Sequence, residues 1–200
     1  KLSKDFKLFK VSAGDLLRDE IKKKSLLGKQ IETIINKGLL VPDIIINNLI
    51  ELLASNRNYY NQIIFDGYPR SLSQVYSLEK ILNKYAQKIS CVLNFEVDIE
   101  GVTKRILGRK ICSKCGLTFN DYFNPPNKKN YECDLKFLEK RSDDTQEVLR
   151  KRYDAYQAEA STIKNYYKNK KLLYKIDGKG DISQIYEQIR LIIRSLNSWL

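Results

Sequence analysis

The sequence predicts an α/β protein with a parallel sheet that carries helices on both of its faces. Several short segments are too apolar to alternate between apolar and polar residues, which is typical of parallel strands covered on both sides. Segments with a helical spacing of apolar residues separate them, and this alternation indicates strand–helix–strand units. The helical period disappears in residues 108–144. So long an irregular stretch is rare inside a compact domain, and we therefore expect an inserted functional segment or lid there.

Four segments fit the predicted strands. Each is short and apolar, and each is bounded by polar or turn-forming residues. They are residues 8–12, 62–66, 91–96 and 172–177. Cys91 lies in the third of these apolar runs, where a lone cysteine indicates a core residue.

Helical patterns lie between and after these strands, and two of them have recognisable ends. Ile31, Ile34 and Ile35 share one face of a helix that Gly38 is placed to end as a C-cap. The next helix opens at Pro42, since proline suits the first helical turn. The apolar positions of that helix and of the remaining patterns are Ile46, Leu49, Ile50 and Leu53; Leu16, Leu17 and Ile21; Val75, Leu78 and Leu82; Leu149, Tyr153, Tyr156, Ala160 and Ile163; and Ile182, Ile185, Ile189 and Ile193.

The composition favours a folded chain without a membrane span. Its 200 residues fit one core with inserted subdomains, and no apolar run is long enough to cross a bilayer. Lysines interrupt the N-terminal segment, so it does not resemble a signal peptide. The net charge of +12 indicates either a solvated basic surface or attraction to phosphates, and charge alone does not separate the two.

The first motif with chemical meaning is S-A-G-D-L-L-R, residues 12–18. A strand ends and a helix begins at this small polar turn, and such a helix N-terminus suits an anion or a nucleotide. Arg18 lies about one turn into the helix, where its guanidinium can fork onto a phosphate. An ordinary helix start with a surface arginine explains this motif alone equally well.

The second motif is F-D-G-Y-P-R, residues 65–70, followed by Gln74. It closes an apolar strand, and open parallel sheets bind ligands beyond the carboxyl ends of their strands. Asp66 is placed to hold Mg²⁺ through water, and Arg70 to reach a phosphate. Gly67 lets the backbone approach a ligand, and the amide of Gln74 can pair with an adenine edge. A tight turn without a ligand is the alternative.

Four further arginines are candidate phosphate ligands. Arg105 and Arg109 are spaced i and i+4, so we expect them on one helical face, where two cations repel unless an anion lies between them. Arg141 and Arg152 lie eleven residues apart, which is about three helical turns if one helix covers both. Each arginine alone is more often a solvated charge. A phosphate site is favoured because these arginines occur in the same sequence as the second motif.

These motifs, together with G-L-L-V-P-D, R-I-L-G-R-K and R-S-D-D, resemble the adenylate kinases in order and spacing over essentially the whole chain. The resemblance implies an α/β fold of the P-loop NTPase kind with two inserted subdomains and a long lid. It places the core in residues 1–11, 42–107 and 145–200. The subdomain that binds the nucleoside monophosphate would be 12–41, and the lid 108–144.

The resemblance also implies roles for single residues. The AMP site would include Ala13, Arg18, Leu39, Val41, Gly67, Arg70, Gln74, Arg141 and Arg152. The triphosphate site would include Arg105, Arg109, Thr118, Phe119 and Gly180. Catalysis would depend on Arg70, Arg109, Arg141, Arg152 and Asp66, the last as the residue that holds Mg²⁺ through water.

The sequence departs from the family in its first residues. The family pattern G-x-x-x-x-G-K, which cradles the donor phosphates, does not occur in this chain. We expect an upstream segment of about 20 to 25 residues that carries it, because a sheet without its central strand would leave unpaired backbone groups. The alternative is a true loss and a non-catalytic nucleotide-binding relative. Ala13 stands where the family often has threonine, and one lost hydrogen bond costs on the order of 1 kcal/mol.

The cysteines of the expected lid resemble a zinc lid found in some family members. Cys112 and Cys115 form a C-x-x-C knuckle, and Cys133 supplies a third thiol. Structural zinc takes four ligands, and the usual fourth position is Lys136 here. Asp134, a distant acid or water could complete the site. The alternative is a lid held by packing and hydrogen bonds.

The predicted function is reversible phosphoryl transfer from ATP, or from GTP, to AMP with Mg²⁺. We expect no nucleic-acid partner, no membrane association and a monomer, as is usual in the family. A zinc-ribbon nucleic-acid binder is disfavoured, because the basic residues are scattered and not interleaved with aromatic residues. We expect a cytoplasmic protein; a mitochondrial location stays open because an upstream targeting segment would not be visible.

Overall fold

The computed structural model describes residues 1–36, 41–141, 143–179 and 181–197. The chain divides into two compact units. The first comprises Lys1–Asn94, Glu159–Tyr174 and Tyr186–Leu200, and the second comprises Phe95–Ala158 and Lys175–Ile185. None of the helices in the described ranges combines the length and the apolar character that a membrane span needs.

Helices and strands alternate along most of the chain. In chain order the elements are α1 (Leu2–Asp5), β1 (Phe9–Ser12), α2 (Ala13–Lys22), α3 (Leu26–Asn36), α4 (Asp43–Ala54), β2 (Ile63–Asp66), α5 (Leu72–Lys84), β3 (Val92–Glu96), α6 (Ile99–Leu107), β4 (Arg109–Cys112), β5 (Thr118–Asn120), β6 (Leu138–Glu139), α7 (Gln146–Asn169), β7 (Leu173–Asp177) and α8 (Ile182–Asn197). The α/β class with parallel strands is confirmed, and the four predicted strands are found with their ends shifted by at most one residue.

The parallel strands lie in two pairs. β1 runs parallel to β2, in a register that joins Phe9 to Ile63 and Ser12 to Asp66. β3 pairs with β7, and backbone hydrogen bonds follow the same order along both strands, from Val92 to Gly178. The side chains of β2 are half-buried or exposed, although the sequence predicts full burial. The reason is that β2 has a hydrogen-bonded strand neighbour on one edge only in the described part of the chain.

The core of the first unit forms where α4 and α5 pack together. Ile50 and Leu78 have no exposed surface, and Val11 of β1 packs in the same cluster. Burying a side chain of this size contributes about 2 kcal/mol. The start of α5 is fixed locally, since Ser71 is its N-cap and the hydroxyl accepts from the N–H of Gln74 at 3.2 Å. Packing and capping together hold the first turn of α5, which carries Gln74.

The segment 108–144 is more regular than the sequence predicts. It contains a three-stranded antiparallel sheet in the order β5-β4-β6. A small core of Cys112, Phe119 and Tyr131 lies against this sheet. The expectation of an irregular stretch is therefore wrong. Strands of two to four residues are too short to show a period in the sequence.

The expectation that Arg105 and Arg109 share a helical face is also wrong. Arg105 lies in α6, but Gly108 ends this helix and Arg109 begins β4, opposite Asn120. The i and i+4 spacing therefore spans a helix end and does not bring the two side chains onto one face.

Candidate functional site

The first two motifs meet at the carboxyl ends of β1 and β2. Because the strands are parallel and in register, Ser12 lies beside Asp66, and the segments that follow both strands start at the same edge. The N-cap residue of α2 is Ser12, whose side chain makes no capping hydrogen bond. The first N–H groups of α2 are therefore not satisfied by this hydroxyl, which leaves a favourable place for an anion.

Arg18 lies over the first turn of α2. Its guanidinium donates to Asp15 at 2.5 Å in an exposed ion pair. A Cβ atom on Gly14 would be 3.2 Å from both terminal nitrogens of Arg18, so the glycine gives the guanidinium room beside the helix start. An exposed pair of this kind contributes little, so a phosphate can take the place of Asp15.

Arg70 is held against its own loop. Its Nε donates to the carbonyl oxygen of Gly67 at 2.7 Å. Gly67 has a φ of +71°, and a Cβ atom there would approach a terminal nitrogen of Arg70 to 2.9 Å. A residue with a side chain is disfavoured at Gly67 for both reasons. The loop thus fixes the Arg70 guanidinium beside Gly67.

Gln74 makes two hydrogen bonds of opposite kind through its amide. Its oxygen accepts from the backbone N–H of Arg70 at 2.7 Å, and its nitrogen donates to Asp43 at 2.7 Å. Ser73 donates to the other oxygen of Asp43 at 3.0 Å. The sequence motifs contain Asp43, at the end of G-L-L-V-P-D, but do not indicate this contact.

A buried tyrosine supports the same loop. The hydroxyl of Tyr68 donates to Asn47 of α4 at 2.6 Å. Burial, together with the nearby charge of Asp43, raises the pKa of Tyr68, so the hydroxyl stays a donor at physiological pH. The contact ties the loop after β2 to α4.

Asp66, the predicted Mg²⁺ residue, forms an ion pair with Lys10 at 2.8 Å. Both side chains are about half exposed, so water or a metal can reach the carboxylate. Lys10 lies on the neighbouring strand and belongs to none of the sequence motifs. A metal ion at this carboxylate would have to share it with Lys10 or displace Lys10, which the exposure of the pair allows at little cost.

Other predicted residues have different placements. Ala13 is buried in the apolar core cluster, and Val41 is half-buried just before α4. Arg152 belongs to α7, but its side chain lies outside the described part of the structure. Leu39 and Gly180 also lie outside the described residues.

In the second unit, Arg105 lines a cavity of about 290 Å³. Its guanidinium lies 5.0 Å from the ring centre of Phe123, and it donates to the carbonyl oxygen of Gly178 at 3.3 Å. Asp98 and Lys179 also line this cavity. A guanidinium plane next to an aromatic ring offers a flat contact surface for a planar ligand. No sequence pattern singles out Phe123, because an aromatic residue near Pro125 carries no spacing signal.

Arg109 is bound by a buried acid. Its Nε donates to Asp144 at 2.8 Å, and one terminal nitrogen donates to the other oxygen of the same carboxylate. The side chain of Asp144 is fully buried, and the N–H of Asp144 donates to the carbonyl oxygen of Arg141 at 3.1 Å. The bond to Asp144 raises the pKa of Arg109, which stays charged. The carboxylate thus positions Arg109 by a two-point contact.

Three other predicted residues have clear positions in this unit. Arg141 precedes α7, so the helix covers Arg152 and not Arg141. Thr118 is exposed at the start of β5, whereas Phe119 is 4% exposed and packs edge-to-face on Tyr131 at 5.0 Å. Phe119 therefore contributes to the core of the small sheet.

The three cysteines of the same segment meet. The sulfur atoms of Cys112, Cys115 and Cys133 lie within 4.8 Å of one another. Burial disfavours the Cys112 thiolate, but hydrogen bonds from Tyr131 at 3.2 Å and from the N–H of Cys115 lower the pKa of Cys112 to about 6. Lys136, which stands at the usual position of the fourth zinc ligand, donates its backbone N–H to Asp134 at 3.0 Å. Three converging thiols are a suitable donor set for a thiophilic metal such as zinc.

Comparison with known proteins agrees with this architecture. An α/β fold that carries arginines in the segments after its parallel strands suits an anionic ligand at that edge of the sheet. A sequence model of the family described as adenylate kinase matches residues 1–172. The chain belongs to the adenylate kinase family.

Similar curated proteins carry the same family name. The adenylate kinase of Pelagibacter ubique is 39% identical over 93% of this chain and 87% of its own length. The adenylate kinase of Caldicellulosiruptor bescii is 37% identical over 94% of this chain and 88% of its own length. The adenylate kinase of Pyrococcus horikoshii is 36% identical over 96% of this chain and 87% of its own length.

Proposed function

We propose that the protein is an adenylate kinase, which transfers the terminal phosphoryl group of a nucleoside triphosphate to AMP. The observation that supports the proposal is the parallel, in-register pairing of β1 and β2, because the segments that carry Arg18, Arg70 and Gln74 follow these strands from the same edge of the sheet. Two guanidinium groups supply phosphate binding, and a held amide supplies recognition of a base. This combination suits a nucleoside monophosphate better than an inorganic anion.

In this proposal the first unit binds AMP. Arg18 exchanges its exposed partner Asp15 for the AMP phosphate, and Arg70 binds the same group from the loop after β2. Gln74 uses its remaining N–H and lone pair on the adenine. The other proposed contacts of the AMP site are Ala13, Leu39, Val41 and Gly67. Arg141 and Arg152 are proposed to bridge the phosphates of the two nucleotides.

The second unit is proposed to bind the triphosphate. Its base would lie against Arg105 and Phe123, where the flat guanidinium–ring contact accepts any purine. Arg109, oriented by Asp144, would face the phosphates. The other proposed contacts are Thr118, Phe119 and Gly180.

Catalysis follows from positioning and charge. Charge spreads over the oxygens of the transferring group, so fixed cations stabilise the transition state without a covalent enzyme intermediate. Arg70, Arg109, Arg141 and Arg152 are the proposed cations. Bound Mg²⁺ neutralises phosphate charge, and Asp66 would hold it through water.

We also propose that Cys112, Cys115 and Cys133 hold a structural zinc ion, with water or Asp134 as the fourth ligand. The convergence of the sulfur atoms supports this. The alternative, a lid held by packing, is supported by the contact of Phe119 with Tyr131. Metal analysis of the purified protein separates the two.

The donor is proposed to be ATP, with GTP as the alternative. The stacking contact at Arg105 does not distinguish adenine from guanine. A coupled assay with AMP and each donor in turn tests both, and the absence of transfer from either, in a folded protein that binds AMP, would favour the non-catalytic alternative.

A further inference from the structure

The amide of Gln74 lies between one group that can only donate a hydrogen bond and one that can only accept one. The backbone N–H of Arg70 can only donate, and it meets the amide oxygen at 2.7 Å. The carboxylate of Asp43 can only accept, and it meets the amide nitrogen at 2.7 Å. If the amide were flipped, its NH₂ group would face the N–H of Arg70, and its oxygen would face the carboxylate of Asp43. The orientation therefore follows from the partners, whereas the orientation of an isolated glutamine amide is ambiguous.

The carboxylate of Asp43 is itself held in place. Its second oxygen accepts from Ser73 at 3.0 Å, and the hydroxyl groups of Ser71 and Ser73 are 2.8 Å apart. Asp43 is the first residue of α4, and Gln74 lies in the first turn of α5. Both ends of the contact thus belong to helices that pack on each other in the buried core, so the contact has little freedom to rearrange.

An amide with one orientation can discriminate between purines. After the two contacts, and within the described part of the chain, Gln74 keeps one N–H and one oxygen lone pair. Adenine presents an acceptor at N1 and a donor at its 6-amino group. Hypoxanthine presents the reverse, a donor at N1 and an acceptor at O6. An amide free to flip would serve both bases, whereas a fixed amide serves one.

We infer that Asp43 is the positioning residue that fixes the Gln74 amide and so sets the preference for a 6-aminopurine over a 6-oxopurine monophosphate. This inference rests on the proposed function, in which Gln74 reads the base of the acceptor nucleotide. Asp43 acts through Gln74 and is not proposed to touch the nucleotide. A purely structural role would weaken binding of both nucleotides equally, whereas the positioning role changes their ratio.

The test is the ratio of the dissociation constants of IMP and AMP, measured by calorimetry on the full-length protein. Asp43→Ala removes one charge-assisted contact and should lower this ratio about tenfold. Asp43→Asn keeps an oxygen at the same place and should restore most of the ratio. Ser73→Ala is the matched control, because it removes a contact to Asp43 but not to Gln74, and it should leave the ratio within about twofold.

Gln74→Ala separates the failure of this inference from failure of the proposed function. If Gln74→Ala lowers the ratio and Asp43→Ala does not, the inference about Asp43 is overturned and base reading by Gln74 stands. If Gln74→Ala leaves the ratio unchanged, base reading and the inference both fail. If Asp43→Ala does not fold, the exchange with water of the side-chain amide protons of Gln74 is measured in the native protein instead. Loss of their signals in Gln74→Ala assigns these protons. Slow exchange of these protons with water supports the contact, and rapid exchange overturns it.

Discussion

Two arginine–aspartate pairs, one in each unit, differ in the solvent exposure of their side chains. Arg18 and Asp15 are 2.5 Å apart, with side chains 42% and 55% exposed. Arg109 and Asp144 form a two-point contact in which the Asp144 side chain is fully buried. Exposed pairs contribute about 0–1 kcal/mol, whereas breaking a buried pair costs about 3–5 kcal/mol.

If both arginines bind phosphate as proposed, the difference gives two ways of presenting a cation to it. Arg18 can leave Asp15 at little cost, so its partner is exchangeable. Arg109 cannot leave Asp144 cheaply, so its partner orients it and any anion must bind the nitrogens that remain. The first arrangement favours adjustable binding, and the second favours a fixed geometry.

The largest expected effect comes from the loop after β2, which carries Arg70. Arg70→Ala should lower the rate of ADP formation about a thousandfold, the scale of an arginine that stabilises transferring phosphoryl oxygens. The fold should remain intact, since Arg70 is exposed. Arg57, an exposed arginine in the same unit, is the matched control, and Arg57→Ala should leave the rate unchanged. Comparable rates in the native protein and Arg70→Ala would show that the site is assigned wrongly.

The comparison of the two pairs is tested most sharply by removing each acid. Asp144→Ala should destabilise the protein by about 3 kcal/mol, because the half-buried guanidinium of Arg109 loses its partner. Asp15→Ala should change the free energy of unfolding by less than about 1 kcal/mol. Urea unfolding of both variants measures this difference. Equal losses would remove the distinction between an exchangeable and a fixed pair.

The thiol cluster predicts a metal-dependent part of the second unit. If zinc is bound, removing it with a chelator should lower the melting temperature by about 5 °C, since a ligand that binds only the folded state stabilises it. Cys133→Ser should give a similar shift and lose the metal. Cys91→Ser, in the first unit, should keep the metal. A metal-free protein with the native melting temperature would favour a lid held by packing.

The smallest predicted effect concerns the exchangeable pair. Arg18→Ala should raise the KM for AMP about tenfold and change kcat little, because it removes a charge-assisted contact made in both the ground and the transition state. Asp15→Ala should lower this KM or leave it unchanged, since Arg18 loses a competitor for the phosphate. Steady-state kinetics with AMP as the varied substrate checks both, and a raised KM in Asp15→Ala would contradict exchange.

Local patterns predict the elements of the first unit well. Strand β2 is found at Ile63–Asp66 against the expected 62–66, because a short apolar run between polar residues has no competing interpretation there. The helix expected to open at Pro42 and Asp43 begins at Asp43, with Pro42 one position earlier than predicted, as the N-cap residue. These features depend on neighbours in sequence.

The features that sequence reasoning misses depend on distant contacts. Asp43 and Gln74 lie 31 residues apart, and Arg109 and Asp144 lie 35 apart. Spacing suggests that Arg105 and Arg109 act together, but a helix end separates them. Phe123 becomes a candidate only once its ring is seen against Arg105. No local period encodes such contacts, because they arise from the packing of whole elements.

The most direct test of phosphoryl transfer to AMP is a coupled assay of ADP formation with the full-length protein. AMP and Mg²⁺ are supplied with ATP in one experiment and with GTP in another. We expect rapid formation of ADP from AMP and ATP, and a GTP-dependent rate would show whether the donor site also accepts guanine. A folded protein that binds AMP and forms no ADP with either donor would contradict the proposed kinase activity.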